Sequence, residues 1–303
     1  MKYFELVPAT ACALTALLAV QQTDRTTAAD GGAFVQVGTH RMYVRCVGNA
    51  GSRPTVILES GGGGHSGDWA SVQSAVPSGI RTCAYDRAGL GRSEKGPGPR
   101  TMKQEIFELH AMLAVANIKG PYVLVGQSVG GVSVRLYAHQ YHEDIAGMVL
   151  VDPTHESSVL GSLRYGGMVR LREKAAGRSV PAPRLVGPSD VPEQPDVDYL
   201  AEELAELYNL RQENPRPLAD KPLVVLAAGK RPPPPPGITP DVWSGLRDER
   251  DAQLRALTDL SSNAAYVMDA SSGHGMHTDN PQLVARAIQA VVEAAMSGTH
   301  VKL

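Results

Sequence analysis

The stretch from Tyr122 to Gly131, reading Tyr-Val-Leu-Val-Gly-Gln-Ser-Val-Gly-Gly, constrains the fold more than any other part of the chain. An apolar run ends at Val125, and a helix-like stretch from Val132 to Tyr141 follows almost at once. Between them Gly126-Gln127-Ser128-Val129-Gly130 fits G-x-S-x-G, the pattern of a serine on a sharp strand-to-helix turn. A serine so placed adopts strained dihedrals, and the flanking glycines let neighbouring backbone pass without Cβ clashes. The helix that follows would aim its free N-terminal amides at charge developing near the hydroxyl. A glycine-rich turn without chemistry has the same outline.

The surrounding chain has the matching organisation. Short β-type runs occur at 34–37, 42–47, 55–58, 81–85, 122–125, 148–151, 223–226 and 265–268. Gly38-Thr39-His40 separates the first two as a hairpin would. Several others are unbroken apolar tetrads, as strands covered on both faces require. Helical stretches lie between them, including 102–117 with Ile106, Leu109, Met112 and Leu113 on one stripe, and 281–296 opened by Pro281. This alternation predicts βαβ units and a mainly parallel sheet. From Pro153 to Pro222 no strand is evident; helix-like pieces at 160–176 and 197–212 flank a proline-rich stretch. The interval is too long for a connecting loop and reads as an inserted helical cap. Pro232–Pro236 reads as a stiff polyproline loop, with binding of an SH3-like partner as the alternative.

Composition narrows the partners. The 303 residues carry 29 Lys+Arg against 31 Asp+Glu, a net charge of −2, and only 5% aromatics. That balance argues against nucleic acid as a partner. No obligate protein partner is evident either. Lys2, an apolar run from Leu6 to Val20 and an exit at Ala28-Ala29 resemble a secretory signal. On that reading residues 1–29 are removed and the protein is exported. Left uncleaved, residues 6–20 would tether it to the membrane; a cytosolic tail is the third reading. Cys12 does not make a lipoprotein site, because Ala9 stands where Leu is expected. Removing 1–29 leaves two cysteines, Cys46 and Cys83, which are either a disulfide or two small buried hydrophobes.

From about Phe34 to Val292 the sequence resembles the α/β-hydrolase superfamily. It is most similar to a bacterial branch with a glycine-rich turn after the third strand and Tyr-Asp-Arg-Ala-Gly-x-Gly-x-Ser after the fourth. These stand here as Glu59-Ser60-Gly61-Gly62-Gly63-Gly64 and as Tyr85-Asp86-Arg87-Ala88-Gly89-Leu90-Gly91-Arg92-Ser93, with the Ser128 segment after the fifth. Gln127 replaces the His common before the serine in that branch, which bears on pocket lining. The resemblance implies a mostly parallel eight-stranded sheet flanked by helices, with a cap inserted after strand six. Residues 30–152 and 221–303 would build the core and 153–220 the cap. It also places the strand carrying Cys46 beside the strand carrying Cys83, which favours a disulfide.

Acyl transfer needs a nucleophile, a base, an acid to orient the base and an oxyanion hole. Ser128 is the expected nucleophile. The chain order of the superfamily puts the base after the last strand, where His274 follows Gly273, and His277 is the second candidate. Asp152, ending the sixth run, is the expected acid, with Asp241 or Asp248 as alternatives. Gly62 and the residue after the nucleophile, Val129, are the expected oxyanion donors. Asp86 and Arg87 are expected to brace nearby loops as an ion pair. No metal and no cofactor is called for; no Lys-Ser/Thr follows the tetraglycine and no Cys/His cluster has ligand spacing. The implied function is hydrolysis of a small-molecule carboxylic ester through an acyl-enzyme. Amide, peptide or lactone hydrolysis by the same residues is the alternative, as is a non-catalytic ligand-binding protein. Dehalogenase and epoxide-hydrolase relatives use Asp where Ser128 stands. In the cap, Arg164, Arg170, Arg172, Arg178 and Arg184 would either greet an acidic substrate or form a solvated face.

Overall fold

The computed structural model describes residues 25–49, 51–161, 177, 199–230, 233–234 and 238–303. The apolar run 6–20, the five arginines of the expected cap and Pro232, Pro235 and Pro236 therefore lie outside the described residues.

One sheet organises the chain. Its strands are β1 (Arg25–Thr27), β2 (Ala33–Val37), β3 (His40–Val47), β4 (Thr55–Glu59), β5 (Thr82–Tyr85), β6 (Tyr122–Gln127), β7 (Ile145–Val151), β8 (Leu223–Ala228) and β9 (Ala264–Asp269). They lie in the order β1-β2-β3-β5-β4-β6-β7-β8-β9. From β5 to β9 every pairing is parallel, and β1, β2 and β3 add an antiparallel edge. Among the described residues the sheet thus has nine strands rather than the eight expected. The additional one pairs Arg25 with Val35 and Thr27 with Ala33. Arg-Thr-Thr carries no apolar run to reveal a strand, and it lies inside the 1–29 segment that the signal reading sets aside.

The unbroken apolar runs do what two-sided burial requires. Ile57, Leu124, Met148, Leu150 and Val225 face one core. Val56, Leu58, Val123, Val125, Val149, Val151, Val224 and Leu226 alternate with them and face the other. The helices α1 (Ala70–Ala75), α2 (Met102–Val115), α3 (Gly130–Gln140), α4 (Tyr199–Glu213), α5 (Pro240–Ala256), α6 (Met276–Asp279) and α7 (Pro281–Ser297) cover the sheet. Leu109 and Met112 of α2, Leu136 of α3 and Leu204 of α4 join the first core. Val72 of α1 and Val284, Ile288 and Val291 of α7 join the second. Helix α7 starts on Asn280, whose side chain accepts from the Leu283 amide, and stops at Gly298 with φ +65°.

Cys46 and Cys83 are register partners on β3 and β5 and form a disulfide across 37 residues of chain. Closing a loop of that length is worth roughly 4 kcal/mol in the chain-entropy model. Among the described residues no helix is long and apolar enough to cross a membrane.

Candidate active site

The parallel strands deliver their functional residues at one edge, the carboxyl ends, where open α/β sheets bind ligands. Ser128 follows β6 directly and takes φ +54°, the left-handed region that a non-glycine residue enters only at a cost. Its neighbours explain how the turn closes. A Cβ on Gly126 would stand 2.5 Å from the Gly130 carbonyl, and one on Gly130 would stand 2.6 Å from the Ser60 carbonyl. Only glycine fits at either position. Helix α3 then begins, with Val129 as its N-cap residue.

Asp152 follows β7 with φ +43°. His274 sits on the loop after β9, ahead of α6. Although far apart in sequence, the three residues meet. His274 Nε2 lies 2.9 Å from Ser128 Oγ, and His274 Nδ1 lies 2.6 Å from Asp152 Oδ2. Asp152 is 1% exposed, whereas the His274 side chain is 62% exposed at the mouth of the site. Burial pushes the Asp152 carboxyl up. The His274 hydrogen bond, the Arg250 charge and the Ala228 amide outweigh that and hold it below its ordinary value. An ionised carboxylate only accepts, so Nδ1 carries the proton and Nε2 is left to accept from the serine hydroxyl.

The second oxygen of Asp152 is also occupied. Oδ1 accepts from the Ala228 amide at 2.8 Å and from Arg250 Nη2 on α5. The alternative acids do not reach the imidazole; Asp241 and Asp248 are both exposed on α5. His277 is not on the serine either. Its ring packs on Trp69 with centroids 5.0 Å apart, and burial lowers its basicity.

The glycine-rich turn lies against the serine. A Cβ on Gly61 would stand 3.1 Å from Ser128 Cβ, and the Gly64 amide closes the turn on the Gly61 carbonyl at 3.1 Å. Gly62 is exposed within that turn. Beneath it, Arg87 donates to the Ser60 carbonyl at 2.8 Å and the Gly61 carbonyl at 2.6 Å while pairing with buried Glu59. The expected Asp86–Arg87 pair is therefore replaced. Arg87 turns inward to Glu59 and Glu105, and Asp86 accepts from the amides of Ser66 and Arg92. Both residues still brace loops, but through different partners. The motif shows two adjacent opposite charges and cannot show that their side chains point to opposite sides of the strand end.

Gln127 and Arg250 carried no expectation of a role at the site beyond pocket lining. Gln127 Nε2 donates to the His274 carbonyl at 3.0 Å and so ties the histidine loop to the serine turn. Arg250 stands in the run Arg247-Asp248-Glu249-Arg250-Asp251, which in sequence is indistinguishable from a solvated helix face. Among the described residues, no group of three or more His, Cys, Asp or Glu side chains is placed to hold a metal ion.

A model of the alpha/beta hydrolase family matches residues 56–287. A Bacillus subtilis (strain 168) protein, "Uncharacterized protein YqjL", is 28% identical over 241 residues, covering 80% of this chain and 84% of that one. The "Probable transporter efuK" of Hormonema carpetanum is 38% identical over 129 residues; the match takes in 41% of this chain but only 18% of that protein's length. Among solved structures, the enol-lactonase from Burkholderia xenovorans LB400 superposes with a TM-score of 0.56 at 20% identity, covering 86% of this chain and 99% of the other.

Proposed function

Because the chain belongs to the alpha/beta hydrolase family, we propose that it is a serine hydrolase cleaving carboxylic esters through an acyl-enzyme. The observation that carries the reading is the continuous hydrogen-bonded path from Ser128 Oγ through His274 to ionised Asp152. Ser128 Oγ attacks the ester carbonyl while His274 Nε2 takes its proton. The tetrahedral oxyanion lies against the Gly62 and Val129 amides. Its collapse returns the proton to the departing alcohol and leaves the acyl group on Ser128. Water then attacks that ester with His274 again as base, releasing the carboxylic acid. Asp152 holds the imidazole tautomer and stabilises the imidazolium throughout. Residues 153–220 act as the cap that selects the acyl group. The Cys46–Cys83 disulfide supports export, because such bonds persist in oxidising compartments.

A series of p-nitrophenyl esters of increasing acyl length, with an anilide and a lactone beside them, tests the reading. The expected result is a burst of nitrophenol followed by steady turnover, best on esters. Ser128→Ala should lower turnover by three or more orders of magnitude. Asp152→Asn should lower it by orders of magnitude while Asp241→Asn leaves it unchanged. Undiminished turnover in Ser128→Ala overturns the assignment.

A further inference from the structure

Helix α5 turns Arg247, Arg250 and Leu254 onto one face, at spacings of three and four residues. Leu254 is buried in the core, and Arg247 donates to the Lys230 carbonyl at 3.3 Å. Between these two anchors Arg250 reaches Asp152 Oδ1. The carboxylate is thus shared: His274 holds one oxygen, and Arg250 and the Ala228 amide hold the other. Among the described residues, Arg250 is the only ionisable side chain besides His274 that pairs with Asp152.

We propose that Arg250 is a positioning residue that, acting through Asp152, carries the acid limb of the activity to lower pH than the His274–Asp152 pair alone would. The proposal rests on the ester-hydrolysis reading of the same site. A guanidinium is charged at every working pH, so its effect is permanent. It acts twice in the same direction. Its charge opposes a second positive charge across the shared carboxylate, and it draws that carboxylate's attraction away from the Nδ1 proton. The same charge also opposes the imidazolium that forms during turnover. Arg250 therefore extends the working range toward acid and lowers the ceiling of the rate.

Other titratable and charged groups face this centre. Asp251 lies beside Arg250 at 3.4 Å. His277 and Asp279 follow His274 in α6, and Asp68 approaches His277 from the turn before α1. Tyr266 of β9 faces Asp152, Arg250, Asp251 and Arg255. None of these makes a hydrogen bond to either Asp152 oxygen in the described residues.

The test compares wild type, Arg250→Gln and Arg250→Lys. Two quantities are read: the acid limb of kcat/KM on a p-nitrophenyl ester, and an NMR titration of the His274 ring. The Ala228 amide remains on Oδ1 in both variants, so the carboxylate is not left without a partner. In Arg250→Gln both midpoints should rise by about one pH unit. Arg250→Lys, which keeps the charge, should stay near wild type. Unchanged midpoints in folded Arg250→Gln, or an equal rise in Arg250→Lys, overturn the proposal. If no ester is turned over by any of the three, the ester reading falls while the NMR titration still decides the role of Arg250.

Discussion

Gln127 illustrates how one side chain couples two parts of a site. Its amide donates to the His274 carbonyl, and its Oε1 lies where a Cβ on Gly61 would come within 2.3 Å. It therefore fills the space between the glycine-rich turn and the histidine loop, directly before the serine. Replacing it by Leu keeps most of the volume and removes the donor. The loss is one hydrogen bond, about 1 kcal/mol of stability. The larger effect falls on geometry, since His274 must stay within hydrogen-bond reach of Ser128. On the proposed mechanism Gln127→Leu should lower kcat roughly tenfold with KM nearly unchanged, because an interaction that only orients the base acts in the transition state. Steady-state kinetics on one ester, with a thermal melt as control, checks this. A raised KM at constant kcat would mean that Gln127 contacts substrate instead.

Among the elements, α2 and α4 show how the helix before β8 is tied to the helix before β6. The first turn of α2 has amides with no intrahelical acceptor. Thr101 accepts from the Gln104 amide, and Glu203 of α4 accepts from the amides of Met102 and Lys103 at 2.9 and 2.8 Å. Lys103 reaches back to Glu206 at 2.5 Å. A carboxylate from one helix thus caps another, where the helix dipole favours it. Glu203→Ala should cost about 1 to 2 kcal/mol. Amide exchange should speed up in 102–105 and 199–213 together and elsewhere stay as in wild type; exchange confined to 102–105 would show that the capping contact does not hold α4. This link was not legible in sequence, because 100 residues separate its partners and Glu203 looks like any solvated helix position. The strands were legible because burial on both faces demands continuous apolar runs, as at 122–125 and 223–226. Ser128, Asp152 and His274 were legible because each directly follows a strand or its loop. Arg250 was hidden in a charged run whose facing depends on where Leu254 packs.

Considered as a whole, the molecule carries buried ionisable groups on one face of the sheet whose titrations oppose one another. Glu105 of α2 is pushed up to about 7 by burial, against the pull of Arg87. His155, just past the Asp152 turn, is held down to about 4 by burial, with Arg211 at 2.9 Å from its Nε2. Glu156 is pushed up by burial, but Arg135, His155 and Arg211 outweigh that and hold it at about 2. For Glu105 the folded state binds its proton more tightly than the unfolded chain does. Its contribution is present below the unfolded value near 4.5 and is lost as pH rises through about 7. His155 is the reverse: its contribution is present above 6.5 and is lost as pH falls through about 4. Each is worth up to about 3 kcal/mol, so between about pH 4.5 and 6.5 the two nearly cancel. Glu156 joins His155 below that window, as pH falls from 4.5 toward 2. Single variants separate the two. Urea unfolding across pH 4.5 to 7, with the disulfide intact, should give His155→Gln a stability that rises relative to wild type as the solution is acidified. Glu105→Gln should give one that falls. Parallel curves for both variants and wild type would mean that neither group changes its proton affinity on folding.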